Sequence, residues 1–146
     1  SGVVYQDENV KVEAFQHKHW ELPYNYAYRI TAPDRVLVIG GDGADDDRLI
    51  AAAQGADVFV MEVCTEAYLG NAPWGGESLE QKQQVIWQYH IKPRDLARIA
   101  SAAKVKTLVL YHVQNYSDPY DPEAVLKEVR EYYQGTVVQA RDGDIF

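Results

Sequence analysis

The stretch that most constrains the fold is Val36-Leu37-Val38-Ile39-Gly40-Gly41-Asp42-Gly43, with Ala44-Asp45-Asp46-Asp47 behind it. Four consecutive apolar residues indicate a strand buried on both faces, because a half-solvated strand alternates. The run stops on glycines that hold one carboxylate, Asp42, at the strand's C-terminal end. Layered α/β folds place ligands and metals at that end. The same residues also make up an ordinary Gly-Asp turn between strand and helix, and the stretch alone leaves both readings open.

After Asp42 the hydrophobic period changes. Asp45 to Asp47 suit the cap and first turn of a helix, Arg48 to Gln54 continue it, and Gly55 is a natural stop. Val58 to Val63 is a second apolar run, ending near Glu62. Arg35 to Val63 is therefore a β-α-β unit, which predicts parallel strands and a right-handed crossover. Upstream, Gly2 to Tyr5 and Val10 to Phe15 flank the polar cluster Gln6-Asp7-Glu8-Asn9, a hairpin pattern. Asn25 to Thr31 alternates again before the turn Ala32-Pro33-Asp34-Arg35, so the first third reads as an antiparallel meander. Its connector, Gln16 to Pro23, carries His17 and His19, which at i, i+2 would share a face if the strand continued.

Downstream, Ala67 to Gly76 is a loop with Pro73 and Trp74, and Glu77 to Tyr89 has helical composition ahead of His90. Pro93 starts a helix through Ala103. Thr107 to Tyr111 is a third buried strand with His112 at its end. Asn115 to Asp121 is a polar loop, Pro122 to Gln134 an amphipathic helix, and Thr136 to Ala140 a last strand. Three buried strands thus end on Asp42, Glu62 and His112, and neighbouring strands of one sheet would set these groups along a common rim.

Composition bounds the rest. The 146 residues make one domain, 1–146, or one half of a larger two-part fold. A net charge of −8, from 22 acidic against 14 basic residues, argues against a generic nucleic-acid surface and makes a nucleic-acid partner unexpected. No apolar run is long enough to span a membrane. The single cysteine, Cys64, excludes an internal disulfide framework and fits a reducing, cytoplasmic setting. Gly40 to Gly43 has neither the Lys-Ser/Thr of a phosphate loop nor a dinucleotide fingerprint, and no Gly-x-Ser-x-Gly elbow is present. Histidine and aspartate on one rim are first-choice ligands for zinc, iron or manganese, but a catalytic zinc takes three protein ligands. Glu62 could hold a histidine tautomer or serve a structural ion pair, and His90 could be a general acid or have no chemical role.

The ordered set Val12-Glu13-Ala14-Phe15 to His19, Tyr26-Ala27-Tyr28-Arg29-Ile30, Val38 to Gly43, Gly55-Ala56-Asp57-Val58, Met61-Glu62-Val63, His90 before Leu96 to Ala100, and Leu108 to His112 resembles the C-terminal half of a metallo-β-lactamase-superfamily hydrolase. The likeness is to its arylsulfatase and tRNA 3′-processing endonuclease branch. The resemblance implies half of an αββα sandwich, an α/β (α+β) fold with a mixed sheet and helices on one face. It implies that Asp42 is the aspartate bridging two metal ions, with zinc, iron or manganese as candidates. It makes His112 the last metal-binding histidine, with His19, a histidine near the site, as a further candidate metal ligand. Glu62 becomes the acid of a His-Glu motif, and His90 the histidine that approaches the leaving group. Gly43 stands where the family has Thr, and Met61 where it has His. The hallmark His-x-His-x-Asp-His cluster does not occur in these residues.

The expectation is a metal-dependent hydrolase of ester, sulfate-ester or phosphodiester type, present as a half and inactive alone. Its substrate would be a small-molecule ester in the complete enzyme. A half-sandwich would bare its inner sheet face, to be covered by a homodimer or by the N-terminal half. The alternatives are a non-catalytic, self-associating half-domain and an interaction module using the aromatic-rich loops.

Overall fold

A computed structural model describes residues 1–146. Seven strands form one sheet in chain order: β1 Gly2–Gln6, β2 Lys11–Gln16, β3 Tyr26–Thr31, β4 Val36–Ile39, β5 Val58–Cys64, β6 Thr107–Gln114 and β7 Thr136–Gln139. The first four pair antiparallel and the last four parallel, so the sheet is mixed. The crossovers carry α1 (Arg48–Ala53), α2 (Leu79–Ile86) with α3 (Pro93–Ala102), and α4 (Ala124–Tyr132). Strand order advances in one direction from β4 to β7. Crossovers of a single, right-handed sense then put the helices on one face of the sheet.

That face carries the core. Val38, Phe59, Met61, Val63, Leu108 and Leu110 are buried against Leu49 of α1, Leu96 and Ile99 of α3 and Val125 of α4. The helices end where the sequence supplies punctuation. Pro93 occupies the first turn of α3, and Ser78 caps α2 in a reciprocal capping box with Gln81. The box sets the start of the helix at Leu79, and the helix ends at Ile86, so it is shorter at both ends than the expected Glu77-to-Tyr89 span. Asp45 to Asp47 act differently from a simple cap. Asp46 accepts from the backbone of Lys18 and Arg48, and Arg98 bonds Asp45 and Asp47 at 2.6 and 2.8 Å. The charge of the three carboxylates is thereby offset in part by two arginines. Arg29 reaches the C-terminal end of α1, donating to the carbonyls of Ala52 and Gln54.

The opposite face carries no helix and is unevenly covered: Val109 is buried at its centre, while Leu37 and Val60 are half-buried. Tyr28 and Ile39 face each other across β3 and β4 and remain 43% and 39% exposed. Edge strand β1 is exposed along its whole length. No helix is long and apolar enough to cross a membrane.

Two local departures from the sequence pattern position the site. Strand β2 stops at Gln16, so His17 and His19 share no strand face. And β6 runs three residues beyond Tyr111, through a bulge. Glu62 of β5 pairs with Tyr111 and Val63 with Val113, which leaves His112 unpaired at φ +42°. A bulge re-aims the side chain of its extra residue, and here that residue is the histidine.

Candidate active site

The sequence-identified groups meet at the C-terminal rim of the parallel strands. Gly41, at φ +73°, turns the chain after β4 and brings Asp42 to the rim. Asp42 Oδ1 lies 2.9 Å from His112 Nδ1, the contact that the bulge in β6 makes possible. Asn25 Nδ2 donates to the Asp42 carbonyl and fixes the turn from the β3 side.

His17 lies behind this turn. It is buried, and its Nε2 donates to the Gly40 carbonyl at 2.8 Å. Burial lowers its pKa below the ordinary histidine value, with the Gly40 bond opposing. A side chain at Gly43 would begin 2.5 Å from the His17 ring. The glycine that replaces the family's threonine therefore makes room for His17. Met61, in place of the family's histidine, is fully buried in the core. Its sulfur occupies the space that a Cβ on Gly40 would need.

Glu62, fully buried on β5, holds the second half of the rim. Its Oε1 accepts from the backbone N–H of Ile91 at 2.9 Å and of Gly43 at 3.4 Å. Its Oε2 faces His90 Nδ1 at 3.2 Å, off the line of a good hydrogen bond, and has no other partner. Burial raises the Glu62 pKa, while His90 and the two N–H groups oppose that shift. Gln114 Nε2 also approaches the imidazole, 2.8 Å from His90 Nε2 and 3.2 Å from Nδ1. The Tyr116 hydroxyl donates to Gln114 Oε1. Burial pushes the Tyr116 phenol up to about 12, so it stays a donor. That turns the amide nitrogen toward His90 and makes His90 Nε2 an acceptor, with the ring proton on Nδ1 toward Glu62.

His90 is also the centre of three imidazoles. Its ring lies 5.9 Å from His112 and 6.3 Å from His19, edge-on to both. His19 packs edge-on to Tyr89 at 5.4 Å, and its Nδ1 is buried without a partner. Burial lowers the His19 pKa, with Asp42 acting in the opposite sense. All five sequence-identified residues, His19, Asp42, Glu62, His90 and His112, therefore belong to one cluster. Gln114, Tyr116 and Asn25 escaped the sequence reading. Amides and phenols carry no spacing signal, and the bulge removes the alternation that would have linked Gln114 to His112.

The chain's own donors fall short of a metal centre. Asp42 and His112 are bonded to each other, and no group of three or more His, Cys, Asp or Glu side chains is arranged to hold a metal. A closed zinc site needs four donors and a catalytic one three, so these residues alone do not fit a metal ion. The unpartnered His19 Nδ1 and Glu62 Oε2 show polar capacity that the cluster leaves unused.

No protein-family model matches the chain. Among curated proteins it is similar to ribonuclease Z of Myxococcus xanthus, 34% identical over 111 residues, which are 76% of this chain and 32% of that protein. Ribonuclease BN of an Enterobacter species is 33% identical over 101 residues, 69% of this chain and 29% of that protein. The chain spans about a third of the length of the curated relatives it matches. Among solved structures, the metallo-beta-lactamase fold protein YhfI from Bacillus subtilis superposes with a TM-score of 0.72 at 22% identity. The match covers 97% of this chain and 51% of that one. The short form of human tRNase Z gives 0.65 at 19% identity, covering 99% and 45%. The chain shares the fold of about half of each of these two structures, the first of which is named a metallo-beta-lactamase fold protein.

The expectation, drawn from net charge, that nucleic acid is not a partner does not stand, because relatives named ribonuclease Z and ribonuclease BN match the chain. Net charge is a sum over the whole surface, whereas nucleic-acid contact needs only a local basic region.

Proposed function

With a metallo-β-lactamase fold as the premise, we propose that this chain is the C-terminal half of an αββα hydrolase and carries half of its active site. The whole enzyme would cleave an ester, sulfate ester or phosphodiester. The observation that carries this reading is the convergence of Asp42, His112, His90 and Glu62 on one rim, with Asp42 and His112 at 2.9 Å. The helix-free sheet face, with Tyr28 and Ile39 exposed on it, supports the half-sandwich, because an αββα fold buries that face against a second sheet.

Each residue has a role set by its neighbours. Asp42 and His112 present an oxygen and a nitrogen to the open rim, as donors toward a zinc, iron or manganese site completed by polypeptide beyond these residues. His19, with its unpartnered Nδ1, stands beside them. His90 is the proton donor to the departing oxygen. When doubly protonated it keeps Nδ1–H on Glu62, and Nε2–H becomes available once the Gln114 amide turns away. Glu62, fixed by two backbone N–H groups, holds the imidazole's orientation. As a water molecule forms its bond to phosphorus or sulfur and gives up a proton to solvent, the bond to the leaving oxygen breaks and the Nε2 proton passes to that oxygen. Given the ribonuclease names of the relatives, RNA belongs among the phosphodiesters to be tried.

The test is elemental analysis of this chain joined to the N-terminal half that the reading supplies, together with hydrolysis of bis(p-nitrophenyl) phosphate, with and without added zinc or manganese. Metal retained by the wild type and lost in Asp42→Ala and in His112→Ala is the expected result, with turnover falling by about 10²-fold or more in His90→Ala. A protein that holds no metal and turns over nothing favours the second reading, a non-catalytic half-domain. That reading rests on the absence of a three-donor group and on the exposed Tyr28 and Ile39.

A further inference from the structure

A cavity of about 350 Å³ opens beside His90, walled by Trp74, Val85, Ile86 and Tyr89, with His90 and Gln114 at its polar end. No charged residue lines it unless His90 is protonated, so it suits neither a phosphate nor a carboxylate. Its apolar walls and two flanking aromatic rings suit a flat, neutral ring.

The walls are braced from behind. Trp20 stacks on Tyr89 at 5.5 Å and 27°, and Tyr116 meets Trp74 edge-on at 5.7 Å and 77°. The loop that carries Trp74 is tied to α2 at several points. The buried Lys82 ammonium donates to the carbonyls of Gly70, at 2.7 Å, and of Ala72. Gly75 and Gly76, at φ +86° and +115°, lie so close to α2 that a Cβ on Gly76 would begin 2.6 Å from Gln81. Placing a lysine in this environment has a desolvation cost, which the carbonyls offset only if the loop keeps its shape. Trp74 is thus a positioned wall, although it lies on a loop.

We propose that this cavity is a subsite for a neutral aromatic ring on the leaving-group side of the substrate. This deepens the hydrolase reading and rests on it for the direction of the ester, since the ring would share His90 with the departing oxygen. The ring lies between Trp74 and Tyr89 against Ile86, and its substituent oxygen points toward His90 and Gln114. The subsite selects aryl over alkyl leaving groups of the same charge.

Phenylphosphonate and methylphosphonate, which carry the same anionic group and differ by the ring, are the probes. Each is titrated into protein with 15N-labelled tryptophan, and the Trp74→Phe variant identifies the Trp74 indole signal. Phenylphosphonate is expected to shift the Trp74 indole and to bind about tenfold more tightly than methylphosphonate. Val85→Lys at the rim should abolish that advantage with the unfolding midpoint unchanged. Equal affinities, an advantage that survives Val85→Lys, or no Trp74 shift at millimolar phenylphosphonate overturns the subsite. Ring-selective binding without turnover of any aryl ester keeps the subsite and overturns the hydrolase. Turnover of phenyl and methyl esters with equal kcat/KM does the reverse.

Discussion

At the residue scale, the site depends on a few positions where backbone geometry and burial act together. His112 reaches Asp42 only because β6 bulges there, at a left-handed φ that costs a non-glycine residue roughly 1–2 kcal/mol. His17 is the buried support on the other side, with its ring in the space beside Gly43 and its Nε2 on Gly40. Burial depresses its pKa, so the native state favours the neutral ring. The unfolded chain takes up that proton near pH 6.5, and the native protein only at lower pH. Between these two values the unfolded state binds more protons, and stability falls as the pH falls. His17→Gln lacks this linkage, although His19 shifts in the same direction and keeps part of the slope. Urea midpoints taken across this window should show the wild type losing more stability on acidification than the variant. Parallel lines would show that His17 is not buried in its neutral form.

At the element scale, the parallel strands do the positioning and the crossovers do the shaping. Each of β4, β5 and β6 delivers one functional side chain, and the α2 crossover adds the aromatic loop. Lys82 joins that loop to its helix, and its ammonium is the donor for two carbonyls that are otherwise buried. Lys82→Met keeps the packed stem and removes the donor. It should cost about 1–3 kcal/mol and speed limited proteolysis between residues 66 and 78. Unchanged cleavage and an unchanged denaturation midpoint would mean that the loop is held by its aromatic contacts alone. Glu128 of α4 clamps the start of the same loop, accepting from the Thr65 hydroxyl at 2.5 Å and from the backbone of Glu66 and Ala67. The loop is therefore anchored at its start and in its middle by charged side chains acting on backbone groups.

At the scale of the whole molecule, the sheet is one-sided. Helices cover one face, while Tyr28 and Ile39 stand in the open on the other. Apolar groups left in water contribute little to the stability of the chain as it stands, since their burial is what would stabilise. The double variant Tyr28→Lys, Ile39→Lys should leave the unfolding midpoint within about 0.5 kcal/mol of wild type, and it should lower the binding of a hydrophobic dye. A fall of several kcal/mol would instead mean that the face is already covered in solution.

The order of strands and helices, the parallel half of the sheet and the rim residues Asp42, Glu62 and His112 were legible in the sequence. Apolar runs, glycine stops and changes of period are local signals, and the right-handed crossover turns them into a layer. His19 and His90 were legible as candidates, though not as neighbours. Only the tertiary structure decided that β2 ends before His17, which leaves that histidine supporting Gly40, away from the rim. Only it set the bulge that aims His112, the amide of Gln114 on His90 and the aromatic cavity beside them. The physical reason is the same in each case. These contacts join residues far apart in the chain through hydrogen bonds and close packing, which are fixed by three-dimensional approach and leave no period in the sequence.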